Sequence, residues 1–143
     1  MKELVKVIAM ALVDHPDQVV VTEEETEGAI TMLNKKAEQE RIEKAYPFLR
    51  AAECLGRNLL HAMLMQIPVE TVRTIYVIAN LGRDYVREDI WYIPYDPLQV
   101  IGARRSKMSA SLDRPQEELI RELLEQDDLR RWITRGLHVL RIE

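Results

Sequence analysis

The chain has 143 residues, 47% apolar and 31% charged, which is the size and balance of one folded globular domain rather than of a disordered or fibrous chain. Twenty basic against 24 acidic residues leave a net charge of −4, which argues against a general polyanion binder. The single cysteine, Cys54, excludes an intramolecular disulfide, and its apolar, helix-prone surroundings predict a small buried hydrophobe.

Leu4, Val5, Ile8 and Leu12 recur at helical spacing over residues 2–13. Lys2, Glu3 and Lys6 interrupt the apolar residues, and no small-residue cleavage site follows, so the stretch does not read as a signal peptide. No run reaches the roughly 18 apolar residues of a membrane-spanning helix. The expected location is the cytoplasm, without a membrane partner. Asp14-His15-Pro16-Asp17 stops the first helix. The β-branched run Val19-Val20-Val21-Thr22 predicts a strand, which needs a partner. Ile30-Thr31-Met32-Leu33 can supply one, with helix an equal reading there. Glu23, Glu24, Glu25 and Glu27 between them read as a solvated turn.

Residues 35–45 are charged and helix-prone, with Glu40 and Lys44 one helical turn apart in the favourable order. Pro47 reads as the first-turn proline of a new helix reaching Ile67. Its wide stripe of Phe48, Leu49, Ala52, Leu55, Leu59, Leu60 and Met63 predicts the central core helix. Pro68 opens the next, with Val69, Val72, Ile75, Tyr76 and Ala79 inward and Gly82 suited to a left-handed closing residue. Residues 83–91 offer a helical turn or two, and residues 92–97 a connection rich in proline and aromatics. Residues 98–111 read as a helix weakened by Gly102. Pro115 opens a helix with Leu119, Ile120, Leu123 and Leu124 inward. Asp127 or Asp128 caps the last one, which carries Leu129, Trp132, Ile133, Leu137 and Leu140. The expected fold is mainly α: a compact multi-helix domain of about six helices, with a small β element near residues 19–33 as a variant. Residues 1–143 form a single domain, with an N-terminal helix and strand over 1–34 and a helical core over 35–143.

Two resemblances accompany this reading. Ile67-Pro68-Val69-Glu70, Leu81-Gly82-Arg83-Asp84, Asp128-Leu129-Arg130-Arg131-Trp132 and Gly136-Leu137 resemble an uncharacterised bacterial domain-of-unknown-function family over roughly the last 75 residues. That family has Leu-Gly-Arg-Gly-Asp where this chain omits the second glycine, and it implies no activity. Lys2-Glu3-Leu4-Val5, Ile8-Ala9, Leu12-Val13-Asp14, Pro16-Asp17 and Val19-x-Val21 resemble the opening helix and strand of small bacterial KH-domain RNA-binding proteins. The KH family grips the RNA backbone with a Gly-x-x-Gly loop. Here Gly56-Arg57-Asn58-Leu59 lacks the second glycine, so no RNA-binding residue carries over.

His15, His61 and His138 are far apart and show no metal-ligand spacing. No serine lies in a G-x-S-x-G elbow, and no phosphate-binding loop is present. No catalytic residue, metal or cofactor is expected. Arg83 and Asp84 follow the helix-ending Gly82. Either Arg83 satisfies the helix end or a neighbouring acid, or it forms a binding edge with Asp84, Tyr85, Trp91, Tyr92 and Tyr95. Arg104, Arg105 and Lys107 form the most basic stretch, read as a solvated face or an anion contact. The expectation is a non-enzymatic interaction or adaptor domain with a protein partner, which includes a homodimer. The alternative is a small RNA- or DNA-binding module using Arg104–Lys107.

Overall fold

The computed structural model describes residues 23–84 and 95–142, with side chains from Met32 onward. The chain is mainly α, and seven helices are present among the described residues. They are α1 (Glu23–Ala52), α2 (Arg57–Gln66), α3 (Val69–Asp84), α4 (Pro97–Lys107), α5 (Ser109–Leu112), α6 (Gln116–Leu124) and α7 (Leu129–Val139). Backbone contacts group the chain into two units, residues 1–37 and residues 38–143. The described part of the first unit is the opening of α1. Residues 23–27, expected as a turn, are helical, and so are residues 30–33, which removes them as a strand partner. Residues 19–22 lie outside the described residues.

Pro47 does not open a helix. It sits inside α1, four residues after Glu43 and two before Leu49. The helix continues because Ile42, Ala45, Leu49 and Ala52 recur every three or four residues and are all buried. This stripe crosses the proline, and tertiary burial outweighs the lost hydrogen bond. The expected helix from Pro47 to Ile67 is instead broken at residues 53–56, where Gly56 takes an extended conformation at the start of α2. Cys54 falls in that break and is exposed rather than buried. Leu59, placed on the inward stripe, is 63% exposed once α2 restarts in a new register.

The central helix is α3. Ten of its 16 residues are buried, from Thr71 to Gly82. A helix enclosed on most of its circumference needs apolar or small residues nearly all round. The run Ile75-Tyr76-Val77-Ile78-Ala79 meets that demand, and Thr74, fully buried, donates its hydroxyl to the Glu70 carbonyl at 3.0 Å. Gly82 does not close the helix in a left-handed conformation. The helix runs on to Asp84, and the described glycines have no positive φ.

What Gly82 does is admit α7. A Cβ built on Gly82 would lie 1.7 Å from the Trp132 carbonyl oxygen and 2.7 Å from the Gly136 nitrogen. A Cβ on Gly136 would lie 2.3 Å from the Ile78 carbonyl oxygen. Two glycines, one on each helix, thus let α3 and α7 pack backbone to backbone, in the most extensive helix contact among the described residues. Around it Leu119, Ile120 and Leu123 of α6, Ile101 of α4 and Leu60 and Leu64 of α2 complete the core. Asp96 accepts from the Leu98 amide at 3.0 Å and, with Pro97 in the first turn, starts α4. Asp128 occupies the corresponding place before α7 but makes no side-chain cap bond. None of the helices in the described residues is long and apolar enough to cross a membrane.

Gly82→Ala and Gly136→Ala should each destabilise the chain by about 3 kcal/mol, since the obstructing atoms are backbone and cannot rotate away. Gly102→Ala meets only the Glu38 Cγ at 3.9 Å, an ordinary contact. It should stabilise α4 by roughly 0.5–1 kcal/mol. Urea unfolding of the three variants measures these opposite signs, and a tolerated Gly82→Ala would contradict the packing account.

Candidate functional site

The sequence singled out two groups of residues, and the fold brings part of each together. Arg83 and Asp84 occupy the last turn of α3. Arg83 Nε donates to Asp84 Oδ1 at 3.1 Å, and its Nη2 donates to Asn80 Oδ1 at 3.1 Å. Its guanidinium also stands 5.9 Å from the centre of the Trp132 ring. Arg104 reaches in from α4, pairing with Asp84 and donating to Asn80 Oδ1 at 3.4 Å. Arg83, Asp84 and Arg104 therefore form one node that fastens the end of α3 to α4 and α7. Tyr95 lies apart from it. Its hydroxyl donates to the Val139 carbonyl at 2.5 Å, and Arg141 sits over its ring at 4.5 Å. Tyr95, Arg104 and Lys107 line one cleft of about 560 Å³ along α4. Tyr85, Trp91 and Tyr92 lie outside the described residues.

Arg105 does not share the face of Arg104. It turns inward to Glu38, donating from Nε at 2.8 Å and from Nη2 at 3.1 Å, and donates again to the Thr74 hydroxyl at 3.1 Å. Glu38 is only 4% exposed and also accepts from Arg41 at 2.8 Å. A carboxylate that deep requires such partners, because an unpaired buried charge costs several kcal/mol. Of the basic stretch, two arginines are thus held by acids of the same chain, and Lys107 is exposed.

Ionisation follows these contacts. Desolvation raises the Asp84 carboxyl, but the bonds and charges of Arg83 and Arg104 outweigh it and hold its pKa below the ordinary value. Glu122 behaves alike: desolvation raises it, and Tyr76 and Arg114 more than compensate, so it too lies low. Burial and the adjacent Glu122 push the Tyr76 phenol up, and the bond to Glu122 raises Arg114. All four groups serve contacts between helices or loops. Cys54, His61 and His138 are separately exposed, and among the described residues no group of three or more His, Cys, Asp or Glu could hold a metal ion.

The sequence reading passed over a second region. The end of α1, the start of α2 and the turn before α7 enclose a cleft of about 300 Å³. Leu55, Leu60, Leu124 and Leu129 supply apolar lining, and Arg57, Asp127 and Arg130 supply charge. Arg57 and Asp127 approach to 3.5 Å, both well exposed. From this cleft the outer side of α7 carries Arg130, Arg131 and Arg135 with Thr134 and His138 among them, opposite the buried Leu129, Ile133 and Leu137. Thr134 donates to Glu53 at 3.2 Å, and Glu53 accepts from Arg50 at 3.2 Å. Arg130, Arg131 and Arg135 make no ion pair among the described residues. The signal was in the sequence: at 100° per residue these arginines share the side opposite the apolar stripe.

No protein-family model, curated protein or solved structure matches the chain, so the two resemblances rest on the residues quoted for them.

Arg105→Ala should cost about 3 kcal/mol, because it leaves Glu38 buried with a single partner. Adding Glu38→Leu to it should recover much of that loss, and a double-mutant cycle in urea reads the coupling. For Asp84 and Glu122 the depressed folded pKa values give stability that is full above the unfolded values. That stability is lost as pH falls through the lower folded values, from about pH 4 downward. Asp84→Asn combined with Glu122→Gln should flatten the acid limb of stability, and a limb as steep as that of the parent would contradict the assignment.

Proposed function

We propose that this chain is a non-enzymatic protein-interaction domain, acting in the cytoplasm through a helical surface. The observation that carries the reading is the cleft formed by α1, α2 and α7. Leu55, Leu60, Leu124 and Leu129 supply the apolar part of its lining, Arg57, Asp127 and Arg130 the charged part, and its volume of about 300 Å³ suits one or two side chains of a partner. Apolar anchor sites ringed by polar groups, with arginine prominent, are what protein interfaces concentrate their binding energy in. The exposed Leu59 and Met65 add apolar surface elsewhere on α2.

The charged groups singled out at α3 and α4 support the same reading by being occupied elsewhere. Arg83, Asp84, Arg104 and Arg105 hold helices together, and their shifted or buried groups have structural partners. The alternative of a nucleic-acid module through Arg104–Lys107 draws on one exposed cation of the three, Lys107. Three charges would already be few for phosphate-backbone binding at physiological salt.

Sedimentation velocity over a range of concentrations, paired with affinity capture in mild salt, tests the reading. The parent chain should form a dimer or one discrete heterocomplex. Arg130→Glu, at an exposed position bordering the cleft, should weaken it while leaving the thermal midpoint within a few degrees. A chain that stays monomeric at every concentration and captures nothing would refute it.

A further inference from the structure

We infer that the partner of this surface is an acidic, amphipathic protein segment, whose apolar side chains enter the α1–α2–α7 cleft while its carboxylates meet the arginines of α7. The inference rests on the interaction reading above and specifies the chemistry of the occupant.

Charge complementarity carries it. The chain as a whole has a net charge of −4, yet this face is locally positive. Arg57 and Arg130 border the cleft, and the exposed Arg131 and half-buried Arg135, one helical turn apart, continue along the outer side of α7. Asp127 beside the cleft pairs with Arg57 at 3.5 Å, and Glu53 is taken up by Arg50 and Thr134. Between Leu129 and Val139, α7 carries three arginines and no Asp or Glu.

The contrast with the other arginines is informative. Arg41, Arg50, Arg57, Arg73, Arg83, Arg104, Arg105 and Arg114 each pair with a carboxylate of this chain, whereas Arg121 and Arg141 make no ion pair among the described residues. Arg130, Arg131 and Arg135 have none among the described residues, so their fork-shaped donors remain available for carboxylates from outside. Side chains of a helix that lie three or four residues apart share one face. An incoming helix or extended segment with acids on one side and leucines on the other would match arginine face and apolar cleft at once. A simple anion would use the first feature and leave the second in water.

The test uses the full chain and a fluorescein-labelled designed peptide of eighteen residues, with Glu and Asp on one helical face and Leu on the other. Its controls keep the apolar pattern with Lys in place of the acids, or keep the acids with Ser in place of Leu. A single-stranded RNA and vesicles containing phosphatidylserine complete the set. Fluorescence anisotropy should show saturable binding of the acidic amphipathic peptide, weakened by salt and by either control change. Replacing Arg130, Arg131 and Arg135 together by Glu should weaken it by about tenfold or more. Lys107→Glu should leave it unchanged.

Equal binding of the lysine peptide, or an affinity indifferent to the triple replacement in a chain that still melts normally, would overturn the inference. So would binding of the RNA or the vesicles in preference to the peptide. If sedimentation shows a complex or dimer while the acidic peptide fails, the acidic partner falls and the interaction reading survives. If both fail, both fall.

Discussion

Two glycines set how α3 and α7 meet. Gly82 and Gly136 remove the side chains that would otherwise keep α3 and α7 apart, and the backbone of each helix meets the backbone of the other. Interiors are packed so tightly that one methyl group at such a crossing has nowhere to go. Once that crossing is set, the rotation of α7 about its own axis is set with it. Leu129, Ile133, Leu137 and Gly136 must face α3, so Arg130, Arg131 and Arg135 must face away. Trp132 falls at the boundary, where the guanidinium of Arg83 lies over its ring. The outward arginine surface is therefore a consequence of an inward packing constraint.

The same residue type does two kinds of work here. Inside, arginine ties helices: Arg105 reaches Glu38 and Thr74, Arg104 reaches Asp84, and Arg114 reaches Glu122 at 2.5 Å and Tyr76 at 3.3 Å. Each such guanidinium has its own carboxylate; the buried Glu38 requires its partner, whereas Asp84 and Glu122 are partly exposed. Arg130, Arg131 and Arg135 of α7, like Arg121 of α6, make no ion pair among the described residues. A modest net charge of −4 gives no hint of this division, because the bound arginines and the free ones enter the sum alike.

Much of the helical framework was legible from spacing and punctuation. Pro68 and Pro115 each stand at a helix start, and the stripes of α6 and α7 bury most of the residues their periodicity selects, with Leu124 and Trp132 half-buried. What failed were inferences in which one residue was read without its tertiary setting. Pro47 signals a helix start locally, but the stripe from Ile42 to Ala52 continues through it. Gly82 looks like a helix terminator because glycine tolerates left-handed geometry, whereas its lack of a side chain was what the fold needed. Cys54 and Leu59 were placed inside because the break at Gly56 was not foreseen. The basic stretch at Arg104–Lys107 drew notice for its density. No local rule reveals that Arg105 would be neutralised by Glu38, which is 67 residues away.

Density along the chain is a poor guide to an available charge; accessibility after folding is the better one. Arg104 and Arg105 are adjacent and yet diverge, one to Asp84 and one to Glu38, since neighbours on a helix point about 100° apart. Arg131 and Arg135 are separated in sequence and converge. Long-range attraction scales with charge left uncompensated at the surface, and affinity further requires apolar contact from which water is expelled. A nucleic-acid backbone offers evenly spaced phosphates and little to place against leucines. An acidic amphipathic segment offers both features in register. The juxtaposition of a cleft that carries leucines with the unpaired arginines of α7 is thus what separates this surface from the denser but neutralised arginines of α4.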